Sequence, residues 1–205
     1  MNKRILLAGL LGGVALFAWG SFSHIVLRLP SIGIEDFPQA QEEGVKSVLS
    51  GALTHPGFYF FPGMGEAPGM SAQERSAANK AFEAKYKRGP HGILIFEPAG
   101  ADVMTPKQLI IQFVLVVVEA LLAAWLLSLT TLTSFASRVG FVVGLGVLMA
   151  LATNVEYWDW YGFPGNYTAA YMLDKVIGML IVGLVVAAMT RKRMAAPVLQ
   201  TTRAA

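Results

Sequence analysis

Four of the chain's 13 acidic side chains lie within or at the edge of strongly apolar runs: Glu119, Glu156, Asp159 and Asp174. Glu119 sits inside VLVVVEALLAAW. A charged side chain at the centre of a bilayer costs at least about 2.5–3.5 kcal/mol, so such a residue needs a partner or a task. Gln108, Gln112 and Glu119 share one helical face and form a polar track into the apolar run. Three readings follow: a protonated carboxyl bonded to a neighbouring helix, a proton or ion path, or lateral contact with a partner subunit. Glu156 and Asp159 belong to NVEYWDWYGFPGNY, between the third and fourth apolar runs. With His24, Asn154 and Asp174 expected at the same depth, a pocket could gather carboxylates, an imidazole and a carboxamide. Such a group can ligate a metal or serve as an acid–base pair. The plainer reading of the segment is an aromatic belt at a membrane interface. Neither HxxxH nor HExxH spacing is present.

A separate set is thioether and imidazole. PGM occurs twice, ending at Met64 and Met70, close to His55, and His91 occupies a similar setting further on. These ligand types suit copper(I). Methionine also fills irregular apolar gaps, which is the plainer account. No cofactor is expected from the sequence beyond this copper alternative. The chain has no cysteine, which excludes disulfides, thiolate metal sites and cysteine nucleophiles. It also lacks a phosphate-binding GxxxxGK[ST] loop, a GxSxG elbow and a CxxCH haem motif.

The elements that must hold these residues are dictated by composition. The chain of 205 residues is 55% hydrophobic and only 14% charged, against about 25% charged in soluble domains. Apolar runs at roughly 5–27, 108–129, 137–155 and 169–190 are each near the length needed to cross a bilayer. The first resumes as Ile25-Val26-Leu27, beyond where a signal peptide would end, and is expected to remain as an anchor. The net charge of +3 does not point to nucleic acid, because Lys3, Arg4, Arg138, Arg191, Lys192, Arg193 and Arg203 flank the apolar runs as topology signals do. The connection 156–168 has no lysine or arginine. Both termini are therefore expected in the cytoplasm of a bacterial cell, with 28–107 and 156–168 outside the inner membrane.

The expected fold class is mainly α: a four-transmembrane-helix bundle with a small α+β extracytoplasmic domain inserted between helices 1 and 2. The divisions are 1–27 for the N-terminus and first span, 28–107 for the cap, 108–190 for the other spans with the outer loop 156–168, and 191–205 for a basic cytoplasmic tail. Within the cap, HPGFYFFPG and PHGILIFEPAG form a near-repeat, each with a short apolar run bounded by turn residues. Each follows a helix-like stretch, 36–53 and 72–87. The second opens on the capping box Ser71-Ala-Gln-Glu74.

Small residues at four-residue spacing let helices approach closely in lipid. Gly9, Gly13 and Gly20 lead to His24 on the first span, and Gly140 and Gly144 lead to Asn154 on the third. Both stripes are expected to pack, with His24 and Asn154 turned inward. On the fourth span Asp174 shares a face with Tyr167 and Tyr171, while Lys175 is expected to snorkel outward. HPGFYFFPGMG, GPHGILIFEPAG and WDWYGFP give the layout a resemblance to bacterial four-helix inner-membrane proteins of unassigned function, which implies no particular activity. The expected role is a non-enzymatic accessory, assembly or interaction protein, bound to lipid and to other membrane subunits or itself. The alternatives are a small membrane enzyme or ion-coupled protein using Glu119 and the outer cluster, and copper handling at the periplasmic face.

Overall fold

The computed structural model describes residues 2–100 and 102–190. The basic tail expected over 191–205 lies outside the described residues. The fold is mainly helical, with one small two-stranded sheet. In chain order the elements are α1 (Lys3–Phe22), α2 (Gln39–Ala52), β1 (Gly57–Phe61), α3 (Ala72–Arg88), β2 (Gly92–Phe96), α4 (Pro106–Ser128), α5 (Phe135–Tyr161) and α6 (Gly165–Met189). Among the described residues α1 with its extension to Leu27, α4, α5 and α6 are long and apolar enough to cross a membrane. At 1.5 Å rise per residue, the 23 residues of α4 reach about 35 Å.

The chain divides into two compact units. One comprises 1–32, 106–154 and the described residues from 169 onward. Its buried core draws on all four long helices: Ala8 and Leu16 of α1, Ala120 and Ala124 of α4, Val142 of α5, and Met179, Val182 and Val186 of α6. Small residues set these approaches. A Cβ on Gly9 would lie 2.7 Å from the Leu121 side chain, and one on Gly13 would lie 2.6 Å from Val117 Cα, so α1 and α4 meet backbone to backbone. Gly146 of α5 lies against Met179, and Gly178 of α6 against Leu16 and Trp19.

The other unit comprises 33–105 and 155–168. β1 and β2 pair antiparallel, with Phe58 opposite Ile95 and Tyr59 opposite Leu94. The capping box of α3 forms as expected: Glu74 N–H donates to Ser71 Oγ at 3.3 Å, and Ser71 N–H donates to Glu74 Oε2 at 2.8 Å. This reciprocal bonding satisfies donors that the first helical turn leaves free. Phe82 and Tyr86 bring α3 against the sheet, through Phe60 and a stacked His91.

The segment expected as the outer loop 156–168 is largely helical. α5 continues to Tyr161 because nothing in NVEYWDWY breaks a helix. The reversal waits for Gly162, whose φ of 71° suits glycine. α6 then starts at Gly165, after Pro164, rather than at 169.

Candidate functional site

The polar groups within the long helices are resolved by pairing. Glu119 lies near the middle of α4, half-buried, and Lys175 Nζ of α6 is 3.4 Å from both of its carboxylate oxygens. Lys175 thus turns inward to α4 instead of snorkelling outward. The reason is local: a lone carboxylate in mid-span is costly, and an ammonium on the facing helix is the strongest available partner. The preceding residue points elsewhere, since consecutive helical side chains diverge by about 100°. Asp174 Oδ1 accepts from Ser23 Oγ at 2.5 Å, and the Asp174 carbonyl accepts from Trp19 Nε1 at 3.3 Å. Ser23 is fully buried in a single π-helical turn, Ser23–Leu27, that extends α1. Asp174 and Lys175 therefore fasten α6 to α1 and α4 respectively.

Gln108 and Gln112 lie exposed on α4, above Glu119 in the chain, and Gln108 takes part in a polar interaction. Among the described residues no group of three or more His, Cys, Asp or Glu side chains is placed to hold a metal ion. His24 Nδ1 bonds the Gly20 carbonyl of its own helix at 2.8 Å, and Asn154 Nδ2 donates to the Ala150 carbonyl at 2.9 Å. Both satisfy themselves on the preceding turn instead of turning inward to a shared site. Glu156 and Asp159 are exposed on the last turns of α5.

The expected packing stripes are corrected in part. Gly9 and Gly13 are in close contact, whereas Gly20, Gly140 and Gly144 have nothing within 4 Å of where a Cβ would stand. The face of α5 that packs is Arg138, Val142, Gly146 and Ala150, all buried. Arg138 was expected as a connection cation marking topology. It is instead inside the first turns of α5, and its Nη2 donates to Thr190 Oγ1. Ser23, Trp19 and the inward turn of Lys175 were missed by sequence reasoning. The adjacent opposite charges Asp174-Lys175 in an apolar run were the available signal, because two such groups must find partners on two different helices.

In the other unit the aromatics of NVEYWDWYGFPGNY form a ladder. Tyr157 stacks on Phe163 with centroids 5.3 Å apart, Phe163 meets Tyr167, and Tyr161 makes an edge contact with Tyr157 and another with Phe58. Gly33, at a φ of 80°, lies so close to Asn166 and Tyr167 that a Cβ would stand 2.6 Å from Asn166 Oδ1. Trp160, Phe60, Ile93 and the Tyr86–His91 pair line an open cleft of about 480 Å³. The copper candidates are apart from one another in role. His91 is stacked on Tyr86 at 3.8 Å, Met70 Sδ accepts from Ala67 N–H, Met64 is exposed, and the His55 carbonyl accepts from Tyr59 Oη.

No family model matches the chain, and no curated protein and no solved structure matches it.

Proposed function

We propose that this is a multi-pass bacterial inner-membrane protein whose role is to bind other proteins, and that its chemistry is recognition and not catalysis. In this reading the four long helices form a bundle in the bilayer, with both termini cytoplasmic. The α2–β1–α3–β2 insert and the aromatic turn then lie on the periplasmic side. The observation that carries it is the state of that insert: among the described residues, none of the buried apolar side chains falls within 33–105 or 155–168. A two-stranded sheet is marginal alone, and a unit that keeps Phe58 63%, Ile95 71% and Trp160 78% exposed presents apolar surface suited to docking. Mild detergent extraction from native membranes tests the reading: the chain should leave the membrane with a stoichiometric protein partner, of its own or another kind. Recovery solely as a bare monomer would sink it.

A second reading takes the Glu119–Lys175 pair as a proton- or ion-responsive element, because ionisable groups in mid-span are commonly functional. It requires that Glu119→Gln and Asp174→Asn each abolish function at normal expression. Two functionally normal variants would leave the pair as a helix fastening alone.

A further inference from the structure

We propose that the surface left open on the 33–105 unit is covered by a second copy of this chain, with α2 of one protomer lying antiparallel along α3 of the other. This rests on the docking reading above and names its partner.

Neither α2 nor α3 contains a buried residue. α2 presents Val45, Val48, Leu49 and Ala52 as one stripe, with Val48 71% exposed, and Glu42 borders that stripe at the N-terminal end. α3 turns Phe82 and Tyr86 toward the sheet. Its opposite face is an exposed stripe of Ala77, Ala81 and Ala84, bordered by Lys80 and Arg88. Branched side chains on one helix and alanines on the other are complementary, since alanine lets helix axes close to about 8 Å. Laid antiparallel, Glu42 meets Arg88, Val45 meets Ala84, Leu49 meets Ala81 and Ala52 meets Ala77 or Ala78. The helix dipoles also oppose in this arrangement.

The charges agree. Glu35 and Asp36 lie just before α2 and Glu42 lies in its first turn, while Lys80, Lys85, Lys87 and Arg88 outnumber the single acid Glu83 in the second half of α3. Among the described residues the ion pairs are Lys46–Glu43 and Lys175–Glu119, and neither of these two groups takes part in them. A lipid surface is a poorer occupant. Interfacial helices carry lysine and arginine on the polar face with aromatic residues on the other, whereas α2 carries Glu42 and Glu43 and no aromatic residue. In a two-fold dimer the α2–α3 contact is made twice, once in each direction.

That symmetry gives a decisive test with the full-length chain under two tags, in native membranes and after purification. Glu42→Lys and Arg88→Glu, expressed singly, each place like charges together at both contacts. Co-purification of the two tags should fall at least about tenfold for either variant alone. Mixed together, the two variants regain complementary charge at both contacts, and pairing should return to the wild-type level. Because there is no native cysteine, Val45→Cys/Ala84→Cys should give a disulfide-linked dimer, while either substitution alone should not. Circular dichroism confirms that each variant keeps its helix content. A disulfide within one chain, or pairing that ignores both charge reversals, overturns the proposal. If Val45→Cys cross-links to a different protein, the second copy is wrong while the docking reading survives. If the wild type pairs with nothing at all, both fall.

Discussion

Lys175 and Glu119 are unequal partners, and the inequality can be measured. Remove Glu119 and the lysine retains a long apolar stem along which its ammonium can reach toward the interface. Remove Lys175 and the carboxylate has no such route. Lys175→Met should therefore destabilise the purified protein by about 2–3 kcal/mol, near the cost of an uncompensated charge in mid-span. Glu119→Gln should cost clearly less. The double variant Glu119→Gln/Lys175→Met should recover most of the loss, because the remaining amide carries no charge. Unfolding in mixed micelles reads all three, and strictly additive effects would show that the pair is not coupled. Glycine gives a parallel contrast. At Gly13 a Cβ would meet the Val117 backbone, which cannot move aside, so Gly13→Ala should cost about 1–3 kcal/mol by overpacking. Gly144→Ala, in open space, should stay within about 0.5 kcal/mol of wild type.

Helix α3 is a surface element with no buried residue, touching the sheet unit through Phe82 and Tyr86. Its capping box should therefore control its local stability. The Ser71 hydroxyl and backbone N–H beside Glu74 hold that carboxyl below its ordinary pKa of 4.5. A carboxyl whose folded pKa lies below its unfolded value stabilises the helix at pH above the unfolded value. That contribution disappears as the pH falls through the lower, folded value. Amide exchange in the first turn of α3 should accelerate on acidification below about pH 4.5, and Glu74→Gln should flatten that response. Ser71→Ala should cost the helix about 1 kcal/mol at neutral pH; unchanged exchange in that variant would show that tertiary contacts carry α3. The box was legible in the sequence because its two residues are three positions apart and need no other part of the chain. The strands around Phe58–Phe61 and Ile93–Phe96 were legible for the same reason, as apolar runs punctuated by Gly and Pro. The rotation of α5 about its own axis was not. In lipid both faces of a span are apolar, so hydropathy does not distinguish the Gly140–Gly144 face from the Gly146 face that packs. The inward turn of Lys175 was hidden too, because it depends on Glu119, 56 positions away on another helix.

In the proposed topology, four spans put the start of α1 and the end of α6 on one side of the bilayer, and the connections near Thr133 and within 29–105 on opposite sides. Which side is which is decided by cations. Lys3 and Arg4 flank the first span, and the turn joining α5 to α6 has none from Val155 to Ala170. Charge near span ends sets orientation more strongly than charge in a long connection, so the six lysines and arginines within 33–105 do not reverse the assignment. Arg138 needs separate handling. It is buried and bonded to Thr190, and such a side chain acts as a packing group as much as a topology signal. The proposed orientation therefore rests mainly on the N-terminal pair, and reversing that pair is the sharpest probe. With no native cysteine, single cysteines at Thr133 and Gly63 report sidedness without background. In intact cells a membrane-impermeant maleimide should label Gly63→Cys and spare Thr133→Cys, which should react only after the membrane is opened. Replacing Lys3 and Arg4 by glutamate should then raise external labelling at Thr133→Cys, as part of the population inserts the other way round. Labelling of Thr133→Cys from outside in the otherwise unaltered chain would invert the orientation, and would place the aromatic turn and the docking helices on the cytoplasmic side.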